Sequence, residues 1–278
     1  MPTVCAKHAR RWTKDCPPYG LPSKFLNHRK RSAAKVADPI KHTDTAMSYT
    51  LLIGNKNYSS WSLRPWLLLH AFAVPFTEER HVFDTPEFAT EISSRKRSPN
   101  ARVPVLIDGD IKVWDSLAIA EYLSERHTGM WPTDAVARAH SRCACAEMHS
   151  GFQALRNWMP MNVRRSYPIA MPREDVQEDI DRVQALWAEA RNKFGNDGPF
   201  LYGKFSVTDA YFAPVVFRFS TYGVKLGPAV AEYVQSMLTH PSMQQWAADS
   251  KAEKEIVDHE EPEHIYAISV PSPLAGEG

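Results

Sequence analysis

Cysteine is scarce in this chain: four residues in 278, with no Cys-x-x-Cys pair. That excludes a disulfide scaffold and gives no support to dithiol exchange. Cys143 and Cys145 stand two apart in a helical stretch, so they point to different faces and cannot bridge. Cys5 and Cys16 would close only a small loop. Unpaired thiols fit a reducing cytosol, and a cytoplasmic location is expected. Long apolar runs are also missing. The longest, Trp66 to Phe76, is interrupted by His70 and Pro75, so no membrane partner is expected. No apolar core precedes a small-residue cleavage site near the N-terminus, which argues against a secretory signal. Gly54-Asn55-Lys56-Asn57 lacks the second glycine and the Lys-Ser/Thr ending of a phosphate loop. His259 and His264 are five apart with Pro262 between them, which breaks a zinc helix, so this stretch reads as solvated tail and no metal is expected. His127, His140 and His149 are widely spaced and read as surface or interdomain groups. No internal repeat is evident.

An excess of charge is absent as well: the formal net charge is +1. That average hides a split. Residues 1–46 hold ten Lys/Arg against three Asp, and the remainder holds 23 Lys/Arg against 29 Asp/Glu. A basic arm precedes an acidic body, and nothing in the balance requires a nucleic-acid partner. Pro17, Pro18 and Pro22 break any amphipathic helix in the arm. The arm, residues 1–46, is expected to be a disordered extension, with Met47 the physical start of the folded chain.

What is present after Met47 is strongly patterned. Tyr49 to Gly54 reads as a buried strand, Leu63 to Phe72 as an apolar helix, and Phe76 to Phe83 as a second strand. Ser59, Ser60 and Ser62 are capping candidates, and Pro65 fits the first turn if the helix starts near Ser62. Thr85-Pro86 opens a short helix. Val103 to Ile107 and Ile111 to Trp114 flank Asp108-Gly109-Asp110, a hairpin signal, and Asp115 caps a helix after them. This is a small α/β unit over 47–126. After a linker at 127–134 the strands stop. Val176, Ile180, Val183, Trp187, Ala190 and Phe194 form an amphipathic stripe with Pro172 in its first turn and Gly195 at its end. Ser206 and Asp209 are a variant capping box, and Gly227-Pro228 and His240-Pro241 start two more helices. Residues 135–257 are therefore read as all-helical, and 258–278 as a polar tail.

Pro104 stands near the start of a strand, where a missing N–H leaves the backbone of Val103 free to pair with something extended. Ser59-Ser60-Trp61-Ser62 at a helix start, Pro99 before Val103-Pro104-Val105-Leu106, the run Asp115 to Leu123, and the Ser206–Asp209 box together resemble the glutathione S-transferase family. The resemblance covers roughly residues 47–250, and the serines place it nearest the bacterial-type, zeta-like serine class. It implies an α/β thioredoxin-like N-terminal domain plus an all-α C-terminal domain. It also implies glutathione as co-substrate and a homodimer. On the same footing, the bond before Pro104 is expected to be cis, Val103 to pair with the cysteinyl part of glutathione, and Asp115-Ser116 to hold its γ-glutamyl end. Ser116 at a helix N-terminus suits a carboxylate.

The thiol must ionise to attack, and a hydroxyl at a helix N-terminus favours the thiolate. Ser59 matches the family's catalytic serine, with Ser60 one residue away as the alternative and Tyr58 and Tyr49 as weaker candidates. Trp61 stands where the zeta-like pattern has cysteine, which argues against cysteine-based lyase chemistry. Arg102 is the candidate partner for the carboxylates of glutathione, and Arg64 is read as an ion pair inside the fold or a ligand contact. Trp158, Met161, Arg164, Arg165 and Tyr167, around a proline kink at Pro160, are read as a pocket for a hydrophobic electrophile bearing an anionic group. The expected activity is conjugation, extending to peroxide reduction. The alternatives are a glutathione-dependent isomerisation of the maleylacetoacetate type and a non-catalytic binding module of the same fold.

Overall fold

The computed structural model of the chain describes residues 49–269. The basic arm with Cys5 and Cys16, and the last residues of the tail, lie outside the described residues. Tyr49 to Ile53 is an almost unbroken apolar run and forms β1 (Tyr49–Ile53), a strand covered on both faces. It leads through a loop into α1 (Ser60–Ala71) and then β2 (Phe76–Arg80). The short α2 (Pro86–Phe88), with proline at its start, continues into a π-turn at Ala89–Ser93. β3 (Val105–Asp108) and β4 (Ile111–Trp114) form the hairpin, turning at Gly109 with φ +56°. α3 (Ser116–Ser124) follows, capped by Asp115, whose carboxylate accepts from the Leu117 N–H at 2.8 Å. The strand order is β2-β1-β3-β4, with β2 parallel to β1 and the other neighbours antiparallel.

Two boundaries differ from the expectation. The second strand stops at Arg80 because Phe83 N–H donates to the Asn55 side chain (2.8 Å), taking the backbone off the ladder. The first helix starts at Ser60, which puts Pro65 in its interior instead of its first turn. Gly54 ends β1 where only a hydrogen fits: a Cβ there would lie 2.3 Å from the Phe83 ring.

The helices that follow are α4 (Ala135–Ser150), α5 (Gln153–Trp158), α6 (Glu174–Phe194), α7 (Val207–Tyr222), α8 (Pro228–Thr239) and α9 (Pro241–Ala252). The amphipathic stripe is the buried face of α6, which begins at Glu174 and not at Pro172. α7 is buried almost all round and lies at the centre of the helical half. One continuous apolar cluster joins these helices to α1, α3 and one face of the sheet. Leu52, Val105 and Ile92 form a smaller cluster.

The polar-tail expectation is corrected over 258–269. Asp258–Glu260 form a 3-10 turn, and Pro262 starts α10 (Pro262–Ser269) instead of breaking a helix. A first-position proline has no hydrogen bond to lose, which is why it is tolerated there. Tyr266 of α10 stacks on Tyr167 with ring centroids 5.4 Å apart, and its hydroxyl donates to Trp158 O (2.6 Å). Pro160 lies in the loop after α5, so it kinks no helix. Among the described residues, no helix is long and apolar enough to cross a membrane.

The start of α7 rests on one carboxylate. Asp209 is fully buried and accepts from Ser206 N–H (2.8 Å), Ser206 Oγ (2.9 Å) and Leu201 N–H (3.1 Å). Burial pushes its pKa up to about 6 against the opposing effect of those donors. Asp209→Ala removes the cap and leaves two buried N–H groups without acceptors. We expect it to lower the unfolding free energy by about 3 kcal/mol in urea titration; a loss within experimental error would show that the cap is not structural.

Candidate functional site

The loop between β1 and α1 carries the serines, and groups far along the chain fix its course. Lys56, only 5% exposed, extends its ammonium to Asp249 (2.6 Å) and Glu78 (2.8 Å) between the rings of Trp66 and Trp246. Trp246 Nε1–H donates to Lys56 O at 2.9 Å. The Glu253 carboxylate accepts from the N–H groups of Lys56 (2.7 Å) and Asn57 (3.1 Å). Asn57 Nδ2 donates to Asn162, and its Oδ1 accepts from Arg164 N–H. Read as a sequence, this loop is only a failed phosphate motif. Apart from Glu78 and Trp66, its partners lie about 100 to 200 residues away, beyond any local signal.

Tyr58, Ser59, Ser60 and Trp61 then line a cleft of roughly 690 Å³, closed on other sides by Phe83, Arg102, Val103, Arg156, Arg218 and Glu260. Ser59 precedes the first residue of α1 but makes no capping bond. Its hydroxyl donates to Ser62 Oγ (2.7 Å), which also accepts from Gly54 N–H (3.2 Å). The capping reading of Ser59 is therefore not what the structure shows, while Ser62 is a buried acceptor tying the helix to β1. Tyr58 is committed elsewhere: its hydroxyl donates to Glu261 (2.5 Å) and accepts from Arg164 Nη2 (2.8 Å). Burial and the Glu261 contact both raise its pKa, so it is a poor source of a proton for a thiolate. Tyr49 OH meets His127 at 3.2 Å, away from the cleft lining.

A side pocket of about 180 Å³ continues from the cleft, bounded by Trp61, Arg102, Val103, Pro104, Asp115, Ser116 and His149. The Val103–Pro104 bond is cis. Among the described residues, neither the N–H nor the C=O of Val103 has a hydrogen-bond partner, leaving both for an extended ligand. Ser116 is buried at the first turn of α3, with its Oγ 2.9 Å from Tyr211 OH. Asp115 stands at φ +75°, and its second oxygen lies 3.4 Å from His149 Nε2. Arg102 is exposed, and its guanidinium touches no acid. The structure thus brings Ser59, Ser60, Arg102, Val103, Pro104, Asp115 and Ser116 to one continuous depression. His149 of α4 joins them unforeseen; burial lowers its pKa, against the pull of Asp115.

The five residues expected to receive the electrophile are not brought to the cleft. Met161 is fully buried in the core. Arg164 donates to Glu253 O (2.7 Å) and Glu255 O (2.9 Å), and Arg165 pairs with Glu261 and Glu263 at 3.0 Å each. Tyr167 stacks on Tyr266, and Trp158 lies under Arg173 at 4.3 Å. Four of the five, all but Met161, have been taken up in seating the 253–266 segment. Besides Arg102, the arginines at the cleft are Arg156 and Arg218, with Arg64 behind them. Among the described residues Arg64 forms no ion pair; it is sandwiched by Trp61 (4.2 Å) and Tyr211 (4.4 Å). No group of three or more His, Cys, Asp or Glu among the described residues could hold a metal ion.

Comparison with known proteins agrees with this geometry. The family model of the glutathione S-transferase N-terminal domain matches residues 58–126. A stringent starvation protein A homolog from Haemophilus ducreyi is 25% identical over 170 residues, 59% of this chain and 75% of that protein. A probable maleylacetoacetate isomerase from Caenorhabditis elegans is 25% identical over 184 residues, 62% of this chain and 81% of that protein. Among solved structures, a Burkholderia glutathione transferase homolog with bound glutathione matches with TM-score 0.55 and 21% identity, covering 74% of this chain and 100% of that one. The chain has a glutathione S-transferase N-terminal domain and the two-domain fold of that family, a thioredoxin-like domain followed by helices.

Glu261 is the clasp between the C-terminal segment and the serine loop. Burial pushes its carboxyl up, but hydrogen bonds from Tyr58 and Arg165 outweigh this and hold it below the usual range. Glu261→Ala should lower stability by about 1–2 kcal/mol, the worth of charge-assisted hydrogen bonds. Its more specific mark is faster amide exchange over residues 257–265 at pH 7. Unchanged protection there would show that the segment is held by other contacts.

Proposed function

We propose that the chain binds glutathione in the depression along Val103, Pro104, Asp115 and Ser116 and activates its thiol at the N-terminus of α1. The observation that carries this reading is the unpartnered backbone of Val103 facing the cleft, in line between Ser59 and the start of α3. An extended tripeptide laid along that line adds one antiparallel pairing to Val103. Its γ-glutamyl carboxylate meets the Ser116 N–H and the helix dipole, and its glycyl carboxylate falls within reach of Arg102.

The thiol then stands over the first turn of α1. Ser59 needs only a rotation of its hydroxyl away from Ser62 to donate to sulfur, and Ser62 retains the Gly54 N–H when it does. Lowering the thiol pKa in this way raises the thiolate fraction at neutral pH. In conjugation the thiolate forms a C–S bond to the electrophilic carbon, the carbon–leaving-group bond breaks, and the thiol proton passes to solvent. Peroxide reduction by the same thiolate would need a second glutathione to form the disulfide. The same reading includes a homodimer acting in the cytoplasm, with half-exposed Ile111 and Trp114 on β4 as apolar surface available for contact.

Two relatives support narrower alternatives. The likeness to a probable maleylacetoacetate isomerase favours reversible addition of the thiolate across a double bond, with rotation and release of glutathione. The likeness to stringent starvation protein A homologs favours a binding module without turnover. Retention on immobilised glutathione together with conjugation of an activated aryl halide supports the transferase. Binding with no turnover on aryl halides, hydroperoxides or cis-enones would instead identify the module.

Within the transferase reading, Ser59→Ala should lower kcat about a hundredfold, as expected for loss of one preorganised donor, with the glutathione Kd little changed. Spectrophotometric titration of the bound thiol should show its pKa rising in the same variant. A larger loss in Ser60→Ala than in Ser59→Ala would transfer the role to Ser60.

A further inference from the structure

Three arginines stand together at the helical wall of the cleft with no carboxylate to balance them. Arg218 of α7 and Arg156 of α5 line the cleft, and Arg64 of α1 lies close enough to both to lower their pKa values. Arg64 and Arg218 are 3% and 5% exposed. Among the described residues, no ion pair within 4 Å involves any of the three. Arg218 spends its Nε on Met159 O (2.7 Å). Arg156 spends one terminal nitrogen on Met148 O and on His149 O (3.2 Å), carbonyls at the end of α4. Arg64 Nε and Nη1 and Arg156 Nε are buried without any acceptor. Trp61 fills the space between two of the cations, with Arg64 at 4.2 Å and Arg156 at 4.8 Å from its ring.

The acids nearby do not neutralise this group. Asp115 faces His149 and accepts from Leu117 N–H, and Asp179 accepts from Leu155 N–H. Asp84 lies 3.5 Å from His259. Glu260 and Asp84 also lie on the cleft wall, and among the described residues neither comes within 4 Å of an arginine as an ion pair. Burial also depresses the pKa of Arg156 and of Arg218, each to about 10, with neighbouring guanidiniums adding to the effect. Buried cations of one sign are unfavourable unless something of the opposite sign joins them. A purely structural arginine would be expected to have found a carboxylate partner during folding, as Arg164 and Arg165 have done around Glu261.

We propose that Arg156 and Arg218, backed by Arg64, form a carboxylate-binding subsite for the molecule that meets glutathione in this cleft. The proposal rests on the transferase reading for its chemistry but not for its anion. It assigns the second substrate to electrophiles that bear a carboxylate, held by the helical wall while their apolar part lies against Phe83, Phe88 and Trp61. Planar guanidiniums suit a carboxylate in two-point contact, and Trp61 keeps two of them oriented before the ligand arrives.

Binding and turnover test the subsite separately. Succinate should raise the Tm of the wild-type chain saturably, at ionic strength held constant with chloride, whereas succinamide should not; equal effects of the two would overturn the subsite whatever the enzyme does. For turnover, a chloronitrobenzoate and its methyl ester are compared with glutathione, each rate divided by its uncatalysed rate. The acid should be favoured by about tenfold or more in kcat/KM, the scale of one charge-assisted hydrogen bond. That preference should collapse in Arg218→Met and in Arg156→Met, chosen to retain volume, with folding checked by circular dichroism. Should either fold poorly, the wild-type comparisons still decide. Turnover of the ester at or above the acid overturns the subsite and leaves the transferase standing. Failure to turn over either compound, with succinate still bound selectively, overturns the transferase reading and leaves the subsite standing.

Discussion

Everything at the cleft depends on the seating of one short loop, Gly54 to Tyr58. A β-strand and a helix joined by six residues could leave the serines at many positions. Here the loop has almost no freedom, because its own polar groups are consumed by partners from the far end of the chain. Glu253 takes two adjacent backbone N–H groups, Trp246 takes a carbonyl, and the Lys56 ammonium is held by Asp249 between two indoles. In a buried setting each unmade bond would cost on the order of 1–3 kcal/mol, so the arrangement is close to all-or-none. The first turn of α1 inherits that rigidity, and with it the positions of Ser59 and Ser60.

The same economy of partners explains the charge pattern. Cations on this molecule fall into two populations. Arg164, Arg165, Arg80 and Lys56 are met by carboxylates, mostly from residues 249–263, and they act as fasteners. Among the described residues, Arg64, Arg156 and Arg218 make no ion pair and are met by aromatic side chains and main-chain carbonyls. Aromatic faces lower the cost of burying a guanidinium without neutralising it. A wall built this way keeps a positive potential directed at the cleft while the body of the protein carries an excess of acids.

How much of this was legible in the sequence follows from the range of the interactions. The β1 run, the hairpin at Gly109, the Asp115 cap and the Ser206–Asp209 box are local patterns, and each appears where the pattern put it. The cleft residues from 59 to 116 were legible for the same reason, because they lie at element starts with recognisable signatures. Arg164, Arg165 and Tyr167 were misread, since an arginine beside apolar residues looks the same whether its partner is a ligand or a glutamate ninety residues on. The 258–269 segment was misread because charge and proline dominate its composition. Its attachment comes from Tyr266 on Tyr167 and Glu261 on Tyr58, and no periodicity announces such single contacts. Arg156 and Arg218 carried no sequence signal at all: one lies in the last turn of a six-residue helix, and the other is a lone cation in an apolar one.

These contacts change what the two-domain description means for this chain. The thioredoxin-like domain supplies β1, the Val103 backbone and the start of α3, but it does not by itself hold its serine loop. That loop is closed by α9 and by the segment after it, and Glu260 of that segment also forms part of the cleft wall. The geometry of the cleft is therefore a property of the joined unit. A change at Glu253 or Trp246, remote in sequence from the serines, acts on the serine loop through the backbone of Lys56 and Asn57. A change at Arg218 removes a charge and one hydrogen bond to Met159 O, and touches neither Lys56 nor Asn57. The first kind should move folding and chemistry together, and the second should separate them, because one wall of the cleft is fixed by hydrogen bonds and the other is defined by unneutralised charge.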